Sequence, residues 1–397
     1  MKNNIKNMDA DGALIGFVMS FYFLNALNIL IRLDFGDLPY WTYISKSIGL
    51  LFLIVAIPYL IKRGNYYVFF FTTIMLILFI VTELLGNADG NFIKNVIYCM
   101  GVYFPLGLCI YCIRDPYRLI KTLQRSTFFL HILLLVLMLT FETESGDPYS
   151  MSGGYALLTQ LLVISDSLIE DTCGKKKIVI LGITIIDVIV ILLRGSRGPI
   201  LCIVGYILIK ILFKNNKLNV SKAFFIGFLL VCIGGMILFY IPVATLIVKI
   251  FGMLGIHSRT VESLLYKSLS NIMREQLYAY YLNKIKLHPF LGYGLAGGWD
   301  LGYPHNILLE FLLSFGIPIG GALFVCLLII IYKGITQKNI YWRRLAHIFV
   351  AENISLIVSG SFLLTPSFFM CLACCLKNGI IKNETGDIKI REYHESN

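Results

Sequence analysis

Long apolar runs, divided by short polar loops, recur along the whole chain, and they limit what it can fold into. About 20 apolar residues in a helix cross the ~30 Å hydrocarbon core of a bilayer. The runs fall at 12–31, 41–61, 66–86, 92–113, 127–141, 153–170, 178–193, 199–213, 223–245, 306–332, 345–361 and 363–378. The last two share one apolar stretch, divided near Gly360 because it is too long for a single helix. The fold class is therefore an all-α polytopic integral membrane protein of about twelve transmembrane helices, one multi-span domain over 1–397.

Composition agrees. The chain is 57% hydrophobic and 14% charged, with mean hydropathy +0.78, against about 25% charged residues in an ordinary soluble domain. A water-soluble enzyme and a disordered chain are both excluded. Of the ten cysteines, all but Cys173 sit inside apolar stretches without paired spacing, so they read as small apolar fillers. Cys371 and Cys374 have redox-motif spacing but lie in a span with no histidine nearby. No metal cluster or nucleotide-binding motif is visible, so neither metal nor cofactor is expected.

The net charge of +11 could suggest nucleic acid, but its position points to a membrane instead. Alternate loops carry the lysines and arginines: Lys62 and Arg63; Arg114, Arg118, Lys121 and Arg125; Lys175–Lys177; Arg343 and Arg344. The intervening short loops hold only Arg32, Lys94, Arg194 and Arg197. The positive-inside rule then puts both termini in the cytoplasm. Residues 246–305 would form one long external loop between the ninth and tenth runs. Its periodicity (Leu269, Ile272, Leu277, Tyr280, Tyr281, Lys284) predicts amphipathic helices, and a glycine-rich turn, Gly292–Gly298, follows them. Long ordered loops usually carry function.

Three groups of residues stand out against this topology. Arg194 and Arg197 sit in a short loop on the side that should avoid arginine, just before Pro199 starts a helix. Guanidinium forks beside a helix N-terminus suit an anion such as phosphate. Lipid-headgroup snorkelling is the plainer reading. Arg259, Arg274 and His288 lie in the long loop, where a basic residue is unremarkable taken alone. His305 and Asn306 precede a span, with Glu310 about one turn inside it and expected to orient or charge-pair the histidine. A neutral imidazole there would be a natural general base. The intramembrane acids Glu83, Asp166, Asp187 and Glu352 are functional suspects by default, and Asp187 could pair with Arg194 two turns on.

Taken in order, these residues resemble the O-antigen polymerase and ligase superfamily of bacterial cell envelopes. Three features carry the likeness: Ser196-Arg197-Gly198; Arg274 followed by Tyr278 and then His288-Pro289-Phe-Leu-Gly292-Tyr-Gly294; and His305-Asn306 leading through Glu310 to Phe315-Gly316. Tyr278 stands where the family usually has tryptophan. The resemblance implies transfer of a glycan from undecaprenyl diphosphate to an acceptor hydroxyl, at the outer face of the plasma membrane. It casts Arg197 and Arg274 as diphosphate-binding residues and His305 as the residue that handles the acceptor, with Arg259 a competitor for the place of Arg274. Arg194, Tyr278, His288, Asn306 and Glu310 complete the expected site. Donor and acceptor would both be lipid-linked oligosaccharides, with a flippase and a chain-length regulator as expected neighbours and no nucleic acid. Polymerase is the favoured expectation. A ligase or protein O-oligosaccharyltransferase using the same donor, and a lipid-glycan flippase, are the rivals.

Overall fold

A computed structural model describes residues 10–24, 39–88, 90–140, 148–172, 174–193, 197–213 and 269–377, with isolated positions between them. The described residues are helical, as the apolar runs require. In chain order the helices are α1 Ala10–Leu24, α2 Pro39–Leu84, α3 Phe92–Tyr98 and α4 Phe104–Cys112, the last two joined by a π-helical segment, Cys99–Tyr103. Then come α5 Pro116–Thr140, α6 Pro148–Glu170, α7 Lys175–Leu193, α8 Arg197–Phe213 and α9 Leu269–Leu287. After α10 Ile307–Ile335 and α11 Ile340–Asn353, a 3-10 turn, Ile354–Ile357, precedes α12 Pro366–Leu376.

Among the described residues, five segments are long and apolar enough to cross a bilayer: Ser47–Gly64, Tyr66–Leu84, Phe92–Cys112, Pro116–Val136 and Ile307–Ile335. Three shorter apolar helices accompany them, α1, Gly198–Phe213 and α12. The expected span at 223–245 lies outside the described residues. Large apolar side chains such as Ile54, Phe69, Phe129 and Ile178 are exposed on the bundle. Water would penalise that surface, and lipid would not.

The expected break at Lys62–Arg63 is a tight one: α2 is assigned as one helix through it, yet Ser47–Gly64 and Tyr66–Leu84 are two separate spans. A straight helix of 46 residues would be about 69 Å long, far more than a bilayer needs. The contacts fold it back instead. Asp11 pairs with Arg63 while Leu24 reaches Gly49, so α1 runs antiparallel to the first half of α2. Phe79 meets Phe92, so the second half runs beside α3, and Gly64 lies against Cys112 at the far end of α4. Phe21 touches Tyr103, with ring centroids 6.4 Å apart, which only a bend near Gly64 allows. Pro58, which cannot donate to the helical ladder, weakens it shortly before that bend.

Among the described residues, Arg63, Arg114, Lys121 and Arg344 gather at one end of the bundle. There Asp166, fully buried, accepts from Arg344 Nε at 2.8 Å and Lys210 Nζ at 2.6 Å, and Tyr206 adds a longer bond of 3.3 Å. Arg344 also reaches Asp171, which takes Gln124 and Lys121 as well. At the same end the Asp11 carboxylate caps the backbone N–H groups of Arg114 and Asp115, both at 3.1 Å. Asp166 is thus a structural acid. Removing one partner of such a network strands a buried charge, so the network fixes how α6, α8 and α11 meet. Beside Asp187, His131 Nε2 lies 3.0 Å from the carboxylate, and both side chains are fully buried, while the expected pairing with Arg194 falls outside the described residues. Glu352 accepts from Thr159 at 2.8 Å, and Glu83 is exposed in the last turn of α2. Cys371 and Cys374 are buried free thiols.

Candidate functional site

At the opposite end, α10 is not one continuous helix. Pro318 has no N–H to give Ser314, and Gly316 adopts φ 75°, ψ 172°, which breaks the ladder around it. The orphaned groups find partners in the glycine-rich turn. Tyr293 N donates to Leu313 O at 2.8 Å, Gly294 N to Ser314 O at 2.9 Å, and Ile317 N to Pro289 O at 2.6 Å. Pairs that an unbroken helix would have made within itself, such as Ile317 with Leu313, are exchanged for bonds to the turn. The approach is close enough to demand glycine: a Cβ on Gly292 would stand 2.5 Å from Leu313 O, and one on Gly316 would collide with the Phe290 carbonyl. The two motifs read separately in the sequence are one piece of structure.

Helix α9 lies along the segment that leaves this turn. The Tyr281 hydroxyl, on a fully buried ring, donates to Gly302 O. Lys284 donates to Gly298 O at 3.0 Å, pairs with Asp300, and sits 4.7 Å over the Tyr293 ring. Tyr278 reaches the His305 carbonyl at 3.5 Å, a long contact. These ties bring the face of α9 that carries Arg274 and Tyr278 to His305.

His305 is held in an unusual backbone state, φ 56°, with its half-buried ring 4.3 Å from that of Tyr303. Its Nδ1 is buried without a hydrogen-bond partner. Burial lowers the imidazole pKa below its ordinary value, and the positive charge of Arg274 lowers it further. A histidine so placed is neutral at pH 7 and free to accept a proton. Asn306 follows as the N-cap of α10: its side chain accepts from Leu309 N at 3.1 Å, and its Nδ2 donates to Ile357 O at 2.8 Å. The 3-10 turn held by that second bond packs on its other side against α8, where Gly205 meets Ile354. The helix begun by Arg197 and the helix preceded by His305 therefore flank one turn.

Two expected site residues, Glu310 and His288, have other partners. Glu310 is fully buried and accepts from Ser361 Oγ and, at 3.1 Å, from Phe362 N. It fastens the segment before α12 to α10 and is not bonded to His305. The reason is local: His305 lies beyond the cap, and its positive φ turns it off the helical spiral on which residues one turn apart are neighbours. His288 is exposed, with its ring 4.6 Å from Tyr293, at the start of the turn. Arg197 contributes the first residue of α8, while Arg194 and Arg259 lie outside the described residues. Sequence reasoning missed Asp300, which joins Tyr280 and Lys284. The available signal was a lone acid between Trp299 and Leu301, five residues before His305.

Residues 182–325 match the Wzy_C family model, described as O-antigen ligase. The matched region runs from the middle of α7 to the middle of α10 and contains all three motifs. It agrees with the resemblance to the O-antigen polymerase and ligase superfamily, and it points to a membrane protein that processes glycans. Neither curated proteins nor solved structures provide a match.

Proposed function

We propose that the chain is an envelope polysaccharide polymerase of the plasma membrane, working on lipid-linked repeat units at the outer face, with both termini in the cytoplasm. The observation that carries this reading is the half-buried His305 at the mouth of α10, its Nδ1 without a hydrogen-bond partner, with the charge of Arg274 lowering its pKa. In the proposed reaction an acceptor hydroxyl oxygen bonds to the anomeric carbon of the donor glycan as the bond from that carbon to the diphosphate breaks. The hydroxyl proton passes to His305. Undecaprenyl diphosphate leaves with the bonding electrons, its charge met by Arg197 and Arg274, and attack from the opposite face inverts the anomeric centre. Fixed guanidinium groups stabilise a developing phosphate charge without reorganising, which is where such sites gain most of their rate.

The test is an acceptor competition in nanodiscs. Purified protein is given lipid-linked repeat unit as donor, and a second lipid-linked unit, lipid A core or a protein substrate as acceptor. A ladder of lipid-linked oligomers is expected. Product on lipid A core or protein alone would make the chain a ligase, and translocation of the donor with no new glycosidic bond would make it a transporter.

A pH profile tests the role of His305. A general base works only when unprotonated, so activity should fall as pH drops through the lowered pKa of His305. The acid limb of kcat/KM is expected below pH ~6.5. Arg274→Gln removes a positive neighbour and should move that limb upward, whatever it does to the rate. An acid limb unmoved by Arg274→Gln would separate the two residues electrostatically.

A further inference from the structure

We propose that Asp300, braced by Tyr280 and Lys284 of α9, is the contact that selects the acceptor glycan, taking hydroxyl donors from a neutral sugar ring beside His305. The proposal rests on the glycan-transfer reading above and adds a substrate subsite to it.

The carboxylate is built into the site and yet reachable. Its side chain is 51% exposed, whereas that of Lys284 is 15% exposed. The Tyr280 hydroxyl donates to Oδ2 at 2.7 Å, and Lys284 pairs with the same oxygen. Neither bond uses Oδ1. The bonds from Lys284 and Tyr280 hold the Asp300 pKa down, so the group stays an acceptor-only anion across the physiological range. A carboxylate of that kind matches adjacent sugar hydroxyls, each of which has a proton to donate.

The surroundings supply the other half of sugar recognition. Trp299 lies edge-on to Tyr303, with ring centroids 5.9 Å apart, and Tyr303 lies 4.3 Å from His305. Tyr303, half-buried beside the proposed base, offers an apolar face to the C–H side of a pyranose. The Trp299 indole is 2% exposed, and its Nε1 has no hydrogen-bond partner.

Charge decides which substrate is met here. The donor brings a diphosphate, and an anionic carboxylate would repel it while Arg274 attracts it. Like charges placed against the wrong partner give selectivity. Asp300 therefore suits the uncharged glycan whose hydroxyl His305 would activate.

The experiment compares wild type, Asp300→Ala and Asp300→Asn in nanodiscs. It measures acceptor KM, donor KM, thermal unfolding and direct binding of the soluble repeat-unit oligosaccharide. A hydrogen bond to a charged group implies an acceptor KM and oligosaccharide Kd raised about ten- to a hundredfold in Asp300→Ala. Donor KM and unfolding temperature should stay at wild-type values. Asp300→Asn, which keeps an oxygen for Tyr280, should be intermediate. Equal oligosaccharide binding by wild type and Asp300→Ala would overturn the subsite. So would a rise in both KM values with a loss of thermal stability, because Asp300 would then be only a staple for the turn. Wild type that binds the oligosaccharide but never transfers to a lipid-linked unit would sink the polymerase reading alone, since the binding comparison still decides the role of Asp300.

Discussion

His305→Ala is expected to bind the lipid-linked donor as wild type does, yet transfer it about 10²–10⁴-fold more slowly, the usual cost of removing a general base. Arg274→Ala should behave differently. A charged contact to a phosphate acts in the ground state and in the transition state, so donor affinity and chemistry should both suffer. The neighbourhood supports the distinction: His305 is kept neutral by burial and by Arg274 itself, while its backbone is fixed between Tyr278 and the cap at Asn306. Arg259→Ala provides the control and should be much milder. Donor binding and single-turnover transfer measured on all three variants decide the matter. Equal losses of donor affinity in His305→Ala and Arg274→Ala would remove the division of roles. A severe Arg259→Ala with a silent Arg274→Ala would transfer the phosphate role to Arg259.

The second large effect is expected at Gly316→Ala. With φ 75° and ψ 172°, this residue occupies a region essentially reserved for glycine. A methyl group would also strike the Phe290 carbonyl. The chain could relieve both problems only by restoring helix at Gly316, which would displace the three bonds that seat the glycine-rich turn. Either the strain stays, at about 1–3 kcal/mol, or the three bonds are lost, at about 1 kcal/mol each, so a loss of roughly 1–3 kcal/mol is expected. Thermal unfolding in detergent and transfer activity should both fall. Gly321→Ala on the same helix meets nothing within 4 Å and should be nearly silent. Wild-type stability in Gly316→Ala would mean that the seated turn contributes little to the fold.

Helical class was legible because a run of apolar residues needs no distant partner to declare itself. Asn306 was placed directly before a span, although its role as the cap, through a bond to Leu309 three residues on, was not read. Partners far apart in sequence were not legible. Asp166 stood out as a membrane acid, but Arg344, 178 residues away, could not be assigned to it. Glu310 was given to His305 by helical spacing, which stops applying at the cap. The break in α10 left a trace in Pro318, two residues after Gly316, yet apolar periodicity carries no information about φ. Asp300 was passed over because one acid in a loop has many solvated explanations, and only the positions of Tyr280 and Lys284 single it out.

The exchanged bonds in α10 also limit how such a chain can be recombined. Residues 289–294 and 313–317 complete each other's backbone, so each is a half-built element without the other. A chimera that imports the loop from a relative but keeps its own helix mixes donors and acceptors shaped for different partners. Any mismatch leaves peptide groups of both segments without partners. The interchangeable module runs from the last turn of α9 through Pro318, and its proper boundary lies inside a helix rather than at the surface of the membrane.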